Sequence, residues 1–207
     1  MRSAFFLIVI LLGMIMSCQT NDVRLYKYLQ PRTGTMTFNC TYNSFNSNGL
    51  HDTLTLNFKK FIVENEAAYC ISHTDDSNCQ YSDLAYFLGS ALLFRNDSIL
   101  LAPLACTKPI DGIKLKDFKY FIPPVMKLND SVSISLHTRD IMLSGFQYDT
   151  LSINGTRLDN CLKIEITEYY QGLNGPLYGS VWLSKTYGIV KWIRATERTE
   201  IRDLTKP

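Results

Sequence analysis

The chain predicts a mainly β fold with antiparallel pairing, and three observations carry that expectation. Residues 36–42, 54–58, 132–136 and 162–166 alternate apolar with polar side chains, the period-two pattern of a sheet with one buried face. Short polar tetrads join apolar runs: Arg95-Asn96-Asp97-Ser98 lies between 91–94 and 99–102, and Lys185-Thr186-Tyr187-Gly188 between 180–184 and 189–193. Four residues suffice for a hairpin but not for a crossover helix, so these strands are neighbours. Twelve Tyr and eleven Phe add a β-rich bias.

Taken in order, the elements are mostly strands. The one helix expected covers 82–92, where Leu84, Phe87, Leu88 and Leu92 fall at helical spacing behind Ser82 as a cap, with Gly89 interrupting it. Pro123-Pro124 bars regular ladder pairing and belongs at a strand end or sheet edge. Gly155 and Gly188 sit in turns where a positive φ would strain other residues. The tail from 189 to 204 reads as one long strand that turns strongly charged after Arg194.

The first residues carry an address. Met1-Arg2-Ser3 supplies one positive charge, and residues 4–16 are apolar apart from Gly13, the pattern of a secretory signal. The run falls short of the roughly 20 residues a membrane span needs. Ile15-Met16-Ser17-Cys18 follows and resembles a lipobox, in which the cysteine takes a diacylglyceryl thioether and becomes the new N-terminus. The alternative is ordinary cleavage near Ser17, with Cys18 incidental. The expected organisation is a signal over 1–17, a lipid anchor and short tether over 18–30, and a single β-rich domain over 31–207.

Lipidation of Cys18 leaves Cys40, Cys70, Cys79, Cys106 and Cys161, an odd set that cannot pair completely. Cys70 and Cys79 flank the polar stretch 73–78 and could close a small loop, a link that stabilises by about 2–4 kcal/mol. No Cys-x-x-Cys or clustered His accompanies them, so no metal is expected. Lys plus Arg number 21 against 19 Asp plus Glu, without the basic excess that a nucleic-acid partner would call for.

No catalytic constellation is legible and no cofactor is implied. His51, His73 and His137 are far apart, and no Gly-x-Ser-x-Gly, phosphate loop or His-Glu-x-x-His occurs. Four Asp-Ser/Thr-aliphatic steps, at Thr53, Ser98, Ser131 and Thr150, have the form of an O-glycosylation acceptor in some Gram-negative bacteria. The same step is also ordinary turn chemistry opening a strand. The loop 171–178, flanked by Tyr169 and Tyr170, is the most binding-like segment, with aromatics that could stack on a sugar or close over a cavity; the alternative is ordinary sheet-face residues beside a hairpin loop. Val190 and Trp192 share a strand face in a simple alternation, with Trp182 across the hairpin. Such a cluster is either packed core or the lining of an apolar ligand site.

Two stretches resemble a known family. Leu151-Ser152-Ile153-Asn154-Gly155-Thr156-Arg157-Leu158-Asp159-Asn160-Cys161, followed by an alternating strand, and Val181-Trp182-Leu183-Ser184 through Gly188-Ile189-Val190-Lys191 are similar to a pattern of exported proteins and lipoproteins. That group is related to the LolA/LolB-like lipoprotein-localisation fold, and the match covers residues 148–204. The resemblance implies a strongly curved antiparallel sheet, an open half-barrel with at most one or two short helices, whose concave face shelters an apolar ligand. The expected protein is non-enzymatic and lipid-anchored, most simply in the outer membrane. It would bind a lipid or other amphipathic ligand, with Trp182, Val190, Trp192, Tyr169 and Tyr178 as candidate lining. The alternative is an interaction lipoprotein with a packed core that binds envelope proteins or glycans.

Overall fold

The computed structural model describes residues 22–29, 33–44, 47–73, 90–103, 112–136, 139–172, 174–195 and 199–204. Fourteen strands are present among them: β1 (Asp22–Val23), β2 (Gly34–Ser44), β3 (Ser47–Val63), β4 (Glu66–His73), β5 (Ser90–Arg95), β6 (Ser98–Pro103), β7 (Tyr120–Ile122), β8 (Met126–Lys127), β9 (Val132–Leu136), β10 (Arg139–Ile153), β11 (Thr156–Tyr170), β12 (Leu177–Ser184), β13 (Gly188–Ala195) and β14 (Thr199–Leu204). Twelve form one sheet in the order β7-β6-β5-β4-β3-β2-β14-β13-β12-β11-β10-β9, and β1 pairs with β8 apart from it. Every ladder is antiparallel.

The turns follow from local chemistry. Asn96 and Asp97 both take positive φ, as do Asn154 and Gly155, which is the two-residue turn whose twist suits a hairpin. Gly188 is also at positive φ, at the start of β13. Pro123 comes directly after β7, at an outer edge of the sheet, where a missing N–H costs no ladder bond.

Two expectations are corrected. Residues 90–92, assigned to the end of a helix, belong to β5; the rest of that segment lies outside the described residues. Ala91, Leu92 and Leu93 are all buried, because β5 is covered on both faces, and such a continuous apolar run imitates helical spacing. The long tail strand is instead the pair β13 and β14, folded back so that Arg194 stands opposite Glu200 and Lys191 opposite Asp203.

Register sorts the core into two layers. One face of the sheet carries Phe38, Leu56, Leu92, Ile99, Leu101, Ile122, Ile141, Leu143, Leu162, Ile164, Val181, Leu183 and Trp192, which belong to one buried cluster. The opposite face of β3–β6 carries a smaller cluster of Val63, Ala68, Ala91, Leu93 and Ala102, covered by Ile113 and Phe118. Neighbouring strands lie about 4.8 Å apart, so the outer strands of a flat twelve-stranded sheet would be roughly 50 Å apart. Yet β7 and β9, the two outer strands, touch. The sheet therefore bends towards its larger cluster, and among the described residues no ladder joins the two edges.

Residues 22–29, expected to be tether, are part of this core. Val23 and Leu25 are fully buried, Tyr28 and Leu29 nearly so, and all four join the larger cluster together with Met126 of β8. The β1–β8 ladder fixes Asp22 opposite Lys127 and Val23 opposite Met126. The chain thus enters the fold four positions after Cys18.

Candidate functional site

The five candidate lining residues divide between the two faces of the sheet and between burial and exposure. Trp192 belongs to the inner face: it stands opposite Val181 and meets Phe38 edge to face, with ring centroids 5.0 Å apart. Val190 is fully buried. Trp182 belongs to the same buried cluster but lies on the other face of the sheet. Its partners in register are Lys163 and Lys191, on the outer face, and a bulge between Trp182 and Leu183 is the cause. Unbroken counting from the Ser184–Gly188 pair would set Trp182 opposite Val190; the extra residue on β13 sets it opposite Lys191.

On the outer face Trp182 is enclosed by polar side chains. Its indole N–H donates to Asp149 Oδ2 at 2.9 Å, and the ammonium groups of Lys163 and Lys191 lie 5.3 and 5.8 Å from its ring centroid. Cations placed over an aromatic face are attracted by its quadrupole. Lys163 also pairs with Glu165, which accepts a hydrogen bond from the Ser180 hydroxyl at 2.6 Å. Beside them a bulge in β10 requires Gly145, at φ +58°; a Cβ there would meet Glu165 Cγ at 2.8 Å. Trp182 is only 7 % exposed, so these polar side chains cover it.

Further along the same outer face the strip opens to solvent. Tyr178 stands opposite Thr167, two residues before Tyr169 on β11, so the two tyrosines are diagonal neighbours. They are 58 % and 48 % exposed. Tyr170, on the other face, donates from its hydroxyl to Glu168, which is buried. The expected binding loop and its aromatics are thus brought together at one end of the β11–β12 hairpin, with the Trp182 group behind them.

At the other end of that hairpin lies the N-terminal segment. Tyr148, opposite Leu162, donates from its hydroxyl to the Asp22 carbonyl at 3.4 Å, and Lys185 lies over the Tyr28 ring at 5.5 Å. Among the described residues the buried Tyr28 hydroxyl has no hydrogen-bond partner. Burial, and then the nearby Tyr148 phenol, push its pKa up. Burial, with Asp149 and Asp159 near, likewise pushes up the thiol of Cys161, a free cysteine whose Sγ lies 3.6 Å from the Leu158 carbonyl. Arg157 beside Asp159 holds that exposed carboxyl below its usual value.

The two raised groups set an alkaline limit. Unfolded, Cys and Tyr lose protons near pH 8.5 and 10, whereas here both keep them to higher pH. The folded chain then binds more protons than the unfolded one, and stability falls as pH rises above about 8.5, by up to about 1.4 kcal/mol per pH unit for each group. Urea unfolding between pH 7 and 11 checks this. Tyr28→Phe is expected to lessen the loss above pH 10, leaving the part due to Cys161; an unchanged slope would refute the assignment.

The remaining candidates are scattered. Thr53, Ser131 and Thr150 are exposed, whereas Ser98 is 7 % exposed at the start of β6. Thr150 Oγ1 lies 3.2 Å from Asp159 Oδ1. Cys70 is buried in β4, between Lys59 and Ala91, while Cys18, Cys79, Cys106 and His137 lie outside the described residues. Tyr28, Tyr148, Asp149 and the two lysines over Trp182 were not picked out from the sequence. Only register, bulges included, brings them together.

No family model matches the chain, and no curated protein does. Three solved structures align at low similarity. A candidate lipoprotein from Parabacteroides distasonis shares 12% identity over 86% of this chain and 96% of its own, with a TM-score of 0.40. A candidate exported protein with a YmcC-like fold from Bacteroides fragilis shares 13% over 86% and 97%, also at 0.40. The hypothetical lipoprotein YmcC from Escherichia coli K12 shares 13% over 86% and 89%, at 0.37. At these values the alignments assign this chain neither a fold nor a role.

Proposed function

We propose that this chain is a lipid-anchored, non-enzymatic protein of the bacterial envelope, exported by residues 1–17 and held in the outer membrane through Cys18. Its task is to bind a glycan of the envelope on the outer face of the β11–β12 hairpin. The observation that carries this reading is the exposure of Tyr169 and Tyr178 side by side. Large aromatic side chains left in water beside a Gly-rich loop offer flat faces for a sugar ring, with polar tips for its hydroxyls.

The LolA/LolB-like reading, with an acyl chain sheltered on the inner face, has less support. Val23, Leu25, Tyr28 and Leu29 already occupy the cluster that contains Trp192 and Val190. A lipid would have to displace them, and with them the β1–β8 ladder.

Two measurements on the mature chain from Gln19 onward test the proposal. Native mass spectrometry is expected to give the polypeptide mass alone; a co-purifying lipid would favour the carrier. A glycan array is expected to give binding that Tyr169→Ala and Tyr178→Ala each weaken by about tenfold, the worth of about 1.4 kcal/mol. Both residues are exposed, so the variants keep their thermal midpoints. Equal binding by parent and variants, or no glycan bound at all, would sink the proposal.

A further inference from the structure

The N-terminal segment also fixes how the domain meets a membrane. Three residues, Gln19-Thr20-Asn21, separate Cys18 from Asp22, and four Cα steps span at most about 15 Å even when fully extended. At Asp22 the chain is already held by the ladder to Lys127 and by Tyr148, and the next residue is fully buried. No slack remains beyond that distance. A bilayer holding Cys18 must hold this end of the domain beside its headgroups.

The surface around Asp22 suits that position. Val125, next to β8, is 42 % exposed, and Tyr148 is 46 % exposed beside the Asp22 carbonyl. Arg24, Lys27, Lys127 and Lys185 are exposed around them. Among the described residues Asp22, Asp130, Asp149 and Asp159 lie at the same end, but Asp130 accepts from the Lys127 backbone N–H at 2.8 Å, Asp149 from the Trp182 indole and Asp159 from Arg157, so the lysines and Arg24 carry the outward charge. Tyrosine with its polar tip is at home at the headgroup level, and each Lys or Arg near an anionic surface contributes about 1 kcal/mol.

We propose that the end of the domain formed by β1, β8 and Tyr148 is a membrane-docking face, seated on the anionic headgroups of the leaflet that holds the anchor. This rests on the reading that Cys18 carries lipid. Its consequence reaches the binding strip: Tyr169 lies seven positions along β11 from Leu162, the partner of Tyr148, which is roughly 23 Å at strand rise. Docking at Tyr148 therefore holds Tyr169 and Tyr178 away from the bilayer.

Three tyrosines of similar exposure make the test internally matched. Lipidated full-length protein is placed in vesicles of phosphatidylethanolamine and phosphatidylglycerol, and hydroxyl-radical oxidation of each tyrosine is compared with that of the mature chain lacking the lipid. Tyr148 is expected to react about fivefold or more slowly in the vesicles, as a ring held in the headgroup layer would. Tyr169 and Tyr178 are expected to change less than about twofold on the same grounds. Equal protection of all three, or protection of Tyr169 and Tyr178 alone, overturns the docking face. The intact mass of the same sample reports the anchor separately: a mass without lipid refutes the anchor, whereas lipid with an unprotected Tyr148 refutes the docking face alone.

Discussion

Replacing Cys18 by Ser is expected to move the protein from the membrane fraction to the soluble fraction almost completely. The expectation follows from what else could hold the chain. Residues 4–16 are too few to span a bilayer comfortably, and among the described residues no helix is long and apolar enough to do so. Acyl chains on a cysteine bury methylenes worth about 0.8 kcal/mol each, and two or more chains anchor stably where one does not. The docking surface around Tyr148 and Lys127 contributes a few kcal/mol only while the lipid holds it at the surface, so the variant should not remain bound through it. Intact mass must accompany the fractionation, since a chain still carrying residues 1–17 would be held by its leader. A variant without leader that stays in the membrane fraction would refute the lipid anchor.

The strands of this protein are legible in its sequence because alternation and turn residues are local properties. Asn154-Gly155 and Asn96-Asp97 specify hairpins, and residues 132–136 alternate over the full length of β9. What is not legible depends on single residues that break the count. The extra residue on β13 moves Trp192 from the face of Trp182 to the inner face and places Lys191 instead of Val190 opposite Trp182. A slip of one position reverses every side chain beyond it, and nothing in the run Gly188-Ile189-Val190-Lys191 marks the slip. The exposed tyrosine pair was half visible: the loop beside it was readable, but the adjacency of Tyr169 and Tyr178 needed the β11–β12 register. The N-terminal segment was hidden for another reason. Asp22 to Leu29 mixes charged and apolar residues without period, which reads as tether, and its burial is decided by a two-residue ladder to β8 a hundred positions away.

That segment carries the second large effect. Leu25→Ala is expected to destabilise the domain by about 2–5 kcal/mol, the range for removing a buried leucine side chain from a core that relaxes only partly. Leu25 is fully buried, in a 3-10 turn whose Tyr28 and Leu29 amides bond back to its carbonyl at 3.0 and 3.1 Å. Natural domains hold only about 5–15 kcal/mol in reserve, so the loss would lower the thermal midpoint by on the order of 10 °C. Lys27→Ala, exposed in the same turn, should stay within about 0.5 kcal/mol and serves as the comparison. Urea unfolding of the mature chain measures both. The two outcomes bear on the role of the segment: a tether would tolerate either substitution, whereas a strut between anchor and sheet tolerates only the second. If Leu25→Ala unfolds like the parent, residues 22–29 are not part of the core, the span from Cys18 lengthens, and the docking face at Tyr148 loses its geometric basis. If it unfolds early as expected, the position of the lipid and the packing of the inner face are set by the same few side chains.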